Sequence, residues 1–129
     1  MSQNIIFFGT PPFAVQCLKK MVAEKFNIVA VVTAPDRPAG RGRQIKKSAV
    51  KEFSEEHNLR IIQPTNLKDP SFAKQLKGLS PDLMVVVAFR MLPKVIWATP
   101  PKGTFNLHAS LLPHYRGAAP INWALINQE

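Results

Sequence analysis

The sequence predicts an α/β fold, a Rossmann-like and mostly parallel sheet with helices on both faces. Strand-like apolar runs alternate along the chain with segments of helical spacing, the pattern of successive βα units. The run Ile28–Val32 is apolar at every position, so both its faces are expected to be buried, as in the middle of a parallel sheet. With 129 residues, 46% hydrophobic and 19% charged, the chain has the size and balance of one globular domain with a sizeable core. That composition excludes disordered and fibrous classes.

Asn4–Gly9 is a first strand, and Pro11-Pro12 then opens a helix where proline is tolerated. In that helix Phe13, Ala14, Cys17, Leu18, Met21 and Val22 recur at helical spacing, while Lys19, Lys20, Glu24 and Lys25 face out. Ile28–Val32 is the second strand. Residues 34–47 carry Pro35, Pro38, Gly40 and Gly42 and are expected to form a long loop. A helix starts near Ser48, buries Val50 and Phe53, and ends near Asn58. Leu59–Ile62 is a short third strand. Asp69-Pro70 marks a helix start, an N-cap followed by proline, with Phe72 and Leu76 on the buried face. Asp82–Ala88 is the strongest strand of the sequence. Phe89–Pro93 and a short helix through Trp97 follow, then a fifth strand over residues 103–108. A last helix is expected over Ala118–Asn127, carrying Ile121, Trp123, Ala124, Leu125 and Ile126. There is no internal repeat and no low-complexity tract or linker.

Several function classes are excluded by what the residues lack. Gly9-Thr10-Pro11-Pro12-Phe13 does not have the G-x-G-x-x-G spacing and no P-loop is present, which argues against a nicotinamide dinucleotide site. His57, His108 and His114 are dispersed and Cys17 is the single cysteine, so no metal site is expected. Cys17 lies on an apolar helix stripe, as a packed thiol does, and a reducing, cytoplasmic setting is expected. No stretch is apolar and long enough for a signal peptide or a membrane span. The formal charge of +9 points toward a polyanionic partner. Arg37, Arg41, Arg43, Lys46, Lys47 and Lys51 lie close together, with Asp36 alone opposing them. Such a run forms either a solvated surface or an anion-binding loop.

In an open parallel sheet, ligands bind beyond the carboxyl ends of the strands. The candidate ends here are Gly9-Thr10, Ala88–Leu92 and Asn106–Pro113. On a strand, Asn106 and His108 share one side while Phe105 and Leu107 face the other. The pair has two readings. It is either a hydrogen-bonded edge pair or a pair of donors aimed at one acyl oxygen, where an anion develops during group transfer. A histidine also carries a proton near neutral pH. No serine or cysteine stands beside a convincing base, which favours direct transfer to a nucleophile supplied by the substrate.

The run Asn106-Leu107-His108-Ala109-Ser110-Leu111-Leu112-Pro113, followed by Tyr115-Arg116-Gly117-Ala118-Ala119-Pro120, resembles the signature of formyltransferases that use 10-formyltetrahydrofolate. Pro35-Asp36-Arg37-Pro38-Ala39-Gly40-Arg41-Gly42-Arg43 and the opening Gly9-Thr10-Pro11-x-Phe13-Ala14-Val15 are similar to the methionyl-tRNA branch of that family. The resemblance implies that Asn106 and His108 are catalytic and that Ser110, Leu111, Leu112 and Pro113 shape the folate site. It also implies that the loop Phe89, Arg90, Met91, Leu92 encloses the pterin through backbone groups. That loop is one residue shorter than the family's usual pattern, and Arg90 replaces a small residue. Arg41 is implied as the leading contact to the acceptor end of initiator Met-tRNA, supported by Arg37 and Arg43, with strongly salt-dependent binding.

The family's histidine is paired with an aspartate expected beyond Glu129, and a C-terminal β-barrel domain is expected beyond that. Residues 1–129 are accordingly expected to be the N-terminal part of the formyltransferase domain. By themselves they are expected to be inactive and prone to self-association through an uncovered sheet edge, the family enzyme being monomeric. A nucleotide-sugar formyltransferase shares the Asn-x-His signature but is not expected to carry the Arg/Gly loop. A non-catalytic RNA-binding α/β module accounts for the basic loop but not for that signature.

Overall fold

The computed structural model describes residues 3–39, 42, 44–109 and 121–126, with the backbone alone described at 39, 108, 109 and 121–123. In chain order the elements are β1 (Asn4–Gly9), α1 (Pro12–Ala23), β2 (Asn27–Val32), β3 (Arg37–Ala39), β4 (Gln44–Lys46) and α2 (Ala49–Glu56). They continue with β5 (Ile61–Ile62), α3 (Pro70–Gly78), β6 (Leu83–Val87), α4 (Lys94–Trp97), β7 (Thr104–Ala109) and β8 (Ile121–Ile126). The main sheet has the order β5-β2-β1-β6-β7-β8. All of its pairings are parallel except β7 with β8.

The apolar runs give this order its physical basis. Along β1, Ile5 and Phe7 point to one face and Ile6 and Phe8 to the other, and all four are buried. Ile5, Phe7, Val31, Val85, Val87 and Leu107 pack with Ala14 and Leu18 of α1 and with Val50 and Phe53 of α2. On the opposite face Ile6, Phe8, Val32, Met84 and Val86 pack with Phe72 and Leu76 of α3 and with Ile96 of α4. Two helices therefore cover each face, and the doubly covered layer is why these strands carry no polar alternation. Thr104 is buried on the α4 side, and its hydroxyl donates to the Trp97 carbonyl at 2.7 Å.

N-caps begin α2 and α3 where the sequence places them. Ser48 Oγ accepts from Lys51 N at 2.9 Å, and Asp69 Oδ1 accepts from Ser71 N at 2.9 Å. The Asp69 carboxyl is held below its ordinary range by that backbone bond and by the Ser71 hydroxyl.

Two segments differ from the sequence expectation. Residues 34–47, expected as a loop, contain an antiparallel ribbon in which Arg37, Pro38 and Ala39 face Lys46, Ile45 and Gln44. Proline is compatible with such a ribbon because every strand in it is an edge. Gly42, at φ +84°, supplies a left-handed position in its connection. Residues 121–126, expected as part of a helix, form β8. The six residues Ile-Asn-Trp-Ala-Leu-Ile satisfy a helical and a strand pattern alike. Pairing them with β7 from Ala109↔Ile121 to Thr104↔Ile126 satisfies backbone groups that an edge strand would leave open.

Candidate functional site

The parallel strands β1, β2, β5, β6 and β7 all end on one side of the molecule. Of the expected site residues, the described ones on this side are Asn106 of β7 and Phe89–Leu92 after β6. Asn106 is half-buried, beside Val86 of β6 on one side and Ala124 of β8 on the other. Leu107 belongs to the core under α1 and α2, so Asn106 and the backbone position of His108 share the opposite face of β7. In register, Val87↔Leu107 brings the end of β6 level with this pair. Ser110–Pro113, Arg41 and Arg43 lie outside the described residues.

From the end of β6 the chain turns sharply. Ala88 adopts a left-handed φ of +54°, uncommon for a residue with a side chain. Phe89 then packs edge-on against Phe8, with ring centroids 5.6 Å apart. The Arg90 guanidinium stands 5.1 Å over the Phe89 ring. It does not simply extend into solvent: Nη2 donates to the Pro64 carbonyl at 2.9 Å and Nη1 to the Thr65 carbonyl at 3.4 Å. Met91 is 93% exposed while Leu92 is buried among α3 and α4 core residues. Backbone approach at the end of β1 is close as well. A Cβ on Gly9 would lie 2.7 Å from Ala14 Cβ and 2.9 Å from the Val87 carbonyl oxygen.

The basic ribbon is anchored at its base. Thr33, fully buried at the end of β2, shares a hydroxyl–hydroxyl hydrogen bond of 2.7 Å with Ser48. Lys51 Nζ donates to Asp36 Oδ2 at 2.7 Å, and Gln63 Nε2 donates to Asp36 Oδ1 at 2.8 Å and to the Ala34 carbonyl at 3.1 Å. The Lys51 bond, reinforced by Gln63, holds the Asp36 carboxyl below its ordinary range. Lys47 pairs with Glu55 at 3.0 Å, which pushes its ammonium up. Two of the basic residues are thus engaged within the chain. Arg37 and Lys46 are exposed and make no ion pair among the described residues.

A cleft of about 640 Å³ lies between these two structures, lined by Thr10, Ala34, Pro35, Asp36, Arg37, Ala88, Phe89 and Arg90. It brings the basic segment against the 88–90 loop at the strand ends. A second hollow of about 550 Å³ shares Thr10, Ala34, Pro35 and Arg37 and continues toward Lys46 and α2. Among the described residues, no group of histidine, cysteine and acidic side chains is placed to hold a metal ion. Among them, too, no helix is long and apolar enough to cross a membrane.

Sequence reasoning did not single out Gln63 or Thr33, and it counted Lys51 in the basic run without seeing that it pairs with Asp36. Asp36 carried a signal, as the one acid within the basic run. Gln63 carried none, because its partners lie 27 and 29 residues away.

The chain is similar to proteins of known kind over nearly its whole length. It is 62% identical over 126 residues to methionyl-tRNA formyltransferase of Flavobacterium johnsoniae, covering 98% of this chain and 40% of that protein. It is 57% identical over 124 residues to methionyl-tRNA formyltransferase of Bacteroides thetaiotaomicron, covering 96% of this chain and 38% of that one. The chain therefore spans about two fifths of the length of these curated relatives. In three dimensions it resembles phosphoribosylglycinamide formyltransferase from Anaplasma phagocytophilum, with a TM-score of 0.65 at 15% identity, covering 100% of this chain and 67% of the other. The formyl transferase family matches residues 3–129, and the chain belongs to that family.

Proposed function

We propose that this chain serves formyl transfer from 10-formyltetrahydrofolate to the methionyl amine of initiator tRNA, residues 1–129 forming the N-terminal part of the formyltransferase domain. The carrying observation is the shared cleft. Donor and acceptor must meet for direct transfer, and the arginine-bearing segment and the loop assigned to the pterin line one cavity. The relatives at 62% and 57% identity are methionyl-tRNA formyltransferases, which supports the tRNA substrate. The cytoplasm is the setting that fits.

In this reading the amine nitrogen attacks the formyl carbon and the carbonyl oxygen takes up the negative charge. The Asn106 amide and a ring N–H of His108 donate to that oxygen. As the intermediate collapses, the bond from carbon to folate N10 breaks and its electron pair stays on N10. N10 gains a proton while the attacking amine loses one, and His108 is the group able to carry it. Ser110, Leu111, Leu112 and Pro113 shape the folate site together with Phe89 to Leu92. Arg41, with Arg37 and Arg43, holds the acceptor end of the tRNA. An acid to charge His108 is not found among the aspartates of this chain. Asp36 is bonded to Lys51 and Gln63, Asp69 caps α3, and Asp82 receives Asn4 N at 2.7 Å at the opposite end of the sheet. In this reading the acid is supplied by the part of the relatives' length that residues 1–129 do not span.

Binding and turnover of residues 1–129 test this directly. The folded chain is expected to bind 5-formyltetrahydrofolate and initiator tRNA with negligible formylation. Arg41→Ala is expected to weaken tRNA binding at unchanged folate binding. Absence of folate binding by the folded chain overturns the reading, and RNA binding in that case favours an RNA-binding module. Near-normal formylation overturns the need for an outside acid.

A further inference from the structure

The two loops that line the cleft leave strands that are not neighbours. β1 lies between β2 and β6, so the strand ends that launch the basic segment and the 88–92 loop are about 10 Å apart. The sheet alone does not set the distance between those loops. A short turn after β5 touches both. Gln63 reaches the Ala34 carbonyl and Asp36, while the next two carbonyls, Pro64 and Thr65, receive the Arg90 guanidinium. The chemistry suits the task on each side. A planar guanidinium presents N–H groups to two adjacent carbonyls in a fixed fork, which the flexible, strongly hydrated ammonium of a lysine does not. Pro64 has a fixed φ, so the carbonyls are presented by a stiff segment. The side-chain amide of Gln63 donates to two acceptors, and one of them, Asp36, is itself held by Lys51.

We propose that Gln63-Pro64-Thr65 is the common seat of both substrate loops, with Gln63 positioning the basic segment and Arg90 positioning the 88–92 loop. The inference rests on the formyl-transfer reading, which gives each loop its ligand. Arg90 then acts on the folate through the loop it braces, and Gln63 acts on the tRNA through Ala34 and Asp36. The relative placement of the two substrates follows from this turn.

Binding of 5-formyltetrahydrofolate and of initiator tRNA to the 129-residue chain, each by titration calorimetry, separates the roles. Arg90→Met is expected to weaken folate binding about five- to tenfold, the scale of a lost hydrogen bond, with tRNA binding within about twofold. Arg90→Lys is expected to recover part of that loss. Gln63→Ala is expected to show the reverse selectivity. Pro64→Gly, which loosens the seat itself, is expected to weaken both ligands, and Pro64→Ala to weaken both by less. Thermal melting checks that the variants stay folded, and a ligand-selective loss at unchanged melting temperature is what a merely structural role does not produce. If the wild-type chain binds both ligands and the variants show no such split, or Pro64→Gly affects one ligand alone, the common seat is overturned while the formyl-transfer reading stands. If the folded wild type binds neither ligand, both fall.

Discussion

Arg37 and Lys46 stand directly opposite each other in the two-stranded ribbon, both exposed, with like charge facing like charge. Such a pair destabilises a ribbon by about 0.2–1 kcal/mol relative to a neutral one. Lys46→Gln is therefore expected to raise stability slightly in urea unfolding while lowering the affinity for initiator tRNA. A variant that binds tRNA as well as the wild type at every salt concentration would remove the ribbon from the interface.

Asp36 gives the ribbon's anchor a pH dependence of known sign. Its folded carboxyl titrates below the ordinary carboxylate range because Lys51, then Gln63, bond to the charged form. As pH falls, the unfolded chain takes up the proton first. The contribution is thus complete at neutral pH, declines through the ordinary carboxylate range, and is gone below the lowered folded value. Asp36→Asn should flatten this acid limb in thermal melts between neutral pH and strong acid. Asp69, lowered in the same direction, should preserve part of it.

Gly9 lets β1 end against α1 and β6. A methyl group there would sit 2.7 Å from Ala14 Cβ and 2.9 Å from both Phe7 Cε2 and the Val87 oxygen, and neither the backbone oxygen nor a buried Cβ moves freely. Gly9→Ala is expected to cost about 1–3 kcal/mol in urea unfolding, as overpacking does. It should also displace the 88–90 loop, read as weaker folate binding.

Ser48 holds two elements with one oxygen, capping α2 and bonding to buried Thr33. Ser48→Ala is expected to cost about 1–2 kcal/mol, the upper part of the range for a lost N-cap. Ser48→Thr, which keeps the hydroxyl, is expected to retain most of the stability. Equal losses in the two variants would contradict the hydrogen-bond account.

The central strands and the helices on both faces were legible in the sequence because burial on two faces leaves continuous apolar runs such as Ile5–Phe8 and Met84–Val87. β5 was legible in place but not in length. Val31 N bonds to the Arg60 carbonyl at 2.7 Å, yet Leu59 N turns back to Ser54 at 2.9 Å, closing the end of α2. β8 was not legible, because its short apolar run fits either period and the decision lies in the open edge of β7. The ribbon was hidden by its Pro/Gly content, which signals a loop locally and records nothing of the Arg37↔Lys46 pairing. Of the site, Asn106 and the 88–92 loop could be placed on strand ends from spacing alone. The reach of Arg90 could not, since backbone carbonyls 25 and 26 residues away leave no side-chain signature.

The shortest strand of the sheet carries the turn on which both loops rest. β5 offers Ile61 and Ile62 to β2, at the outer edge. Such an element opens at a small fraction of the free energy of global unfolding. Hydrogen exchange should therefore be fast at the amides it protects, Val31 bonded to Arg60 and Thr33 bonded to Ile62, relative to the interior of β1 and β6. Bound folate or tRNA should slow exchange at those amides although neither touches them. The readiness of the cleft to receive two substrates would then be recorded in the breathing of one edge of the sheet.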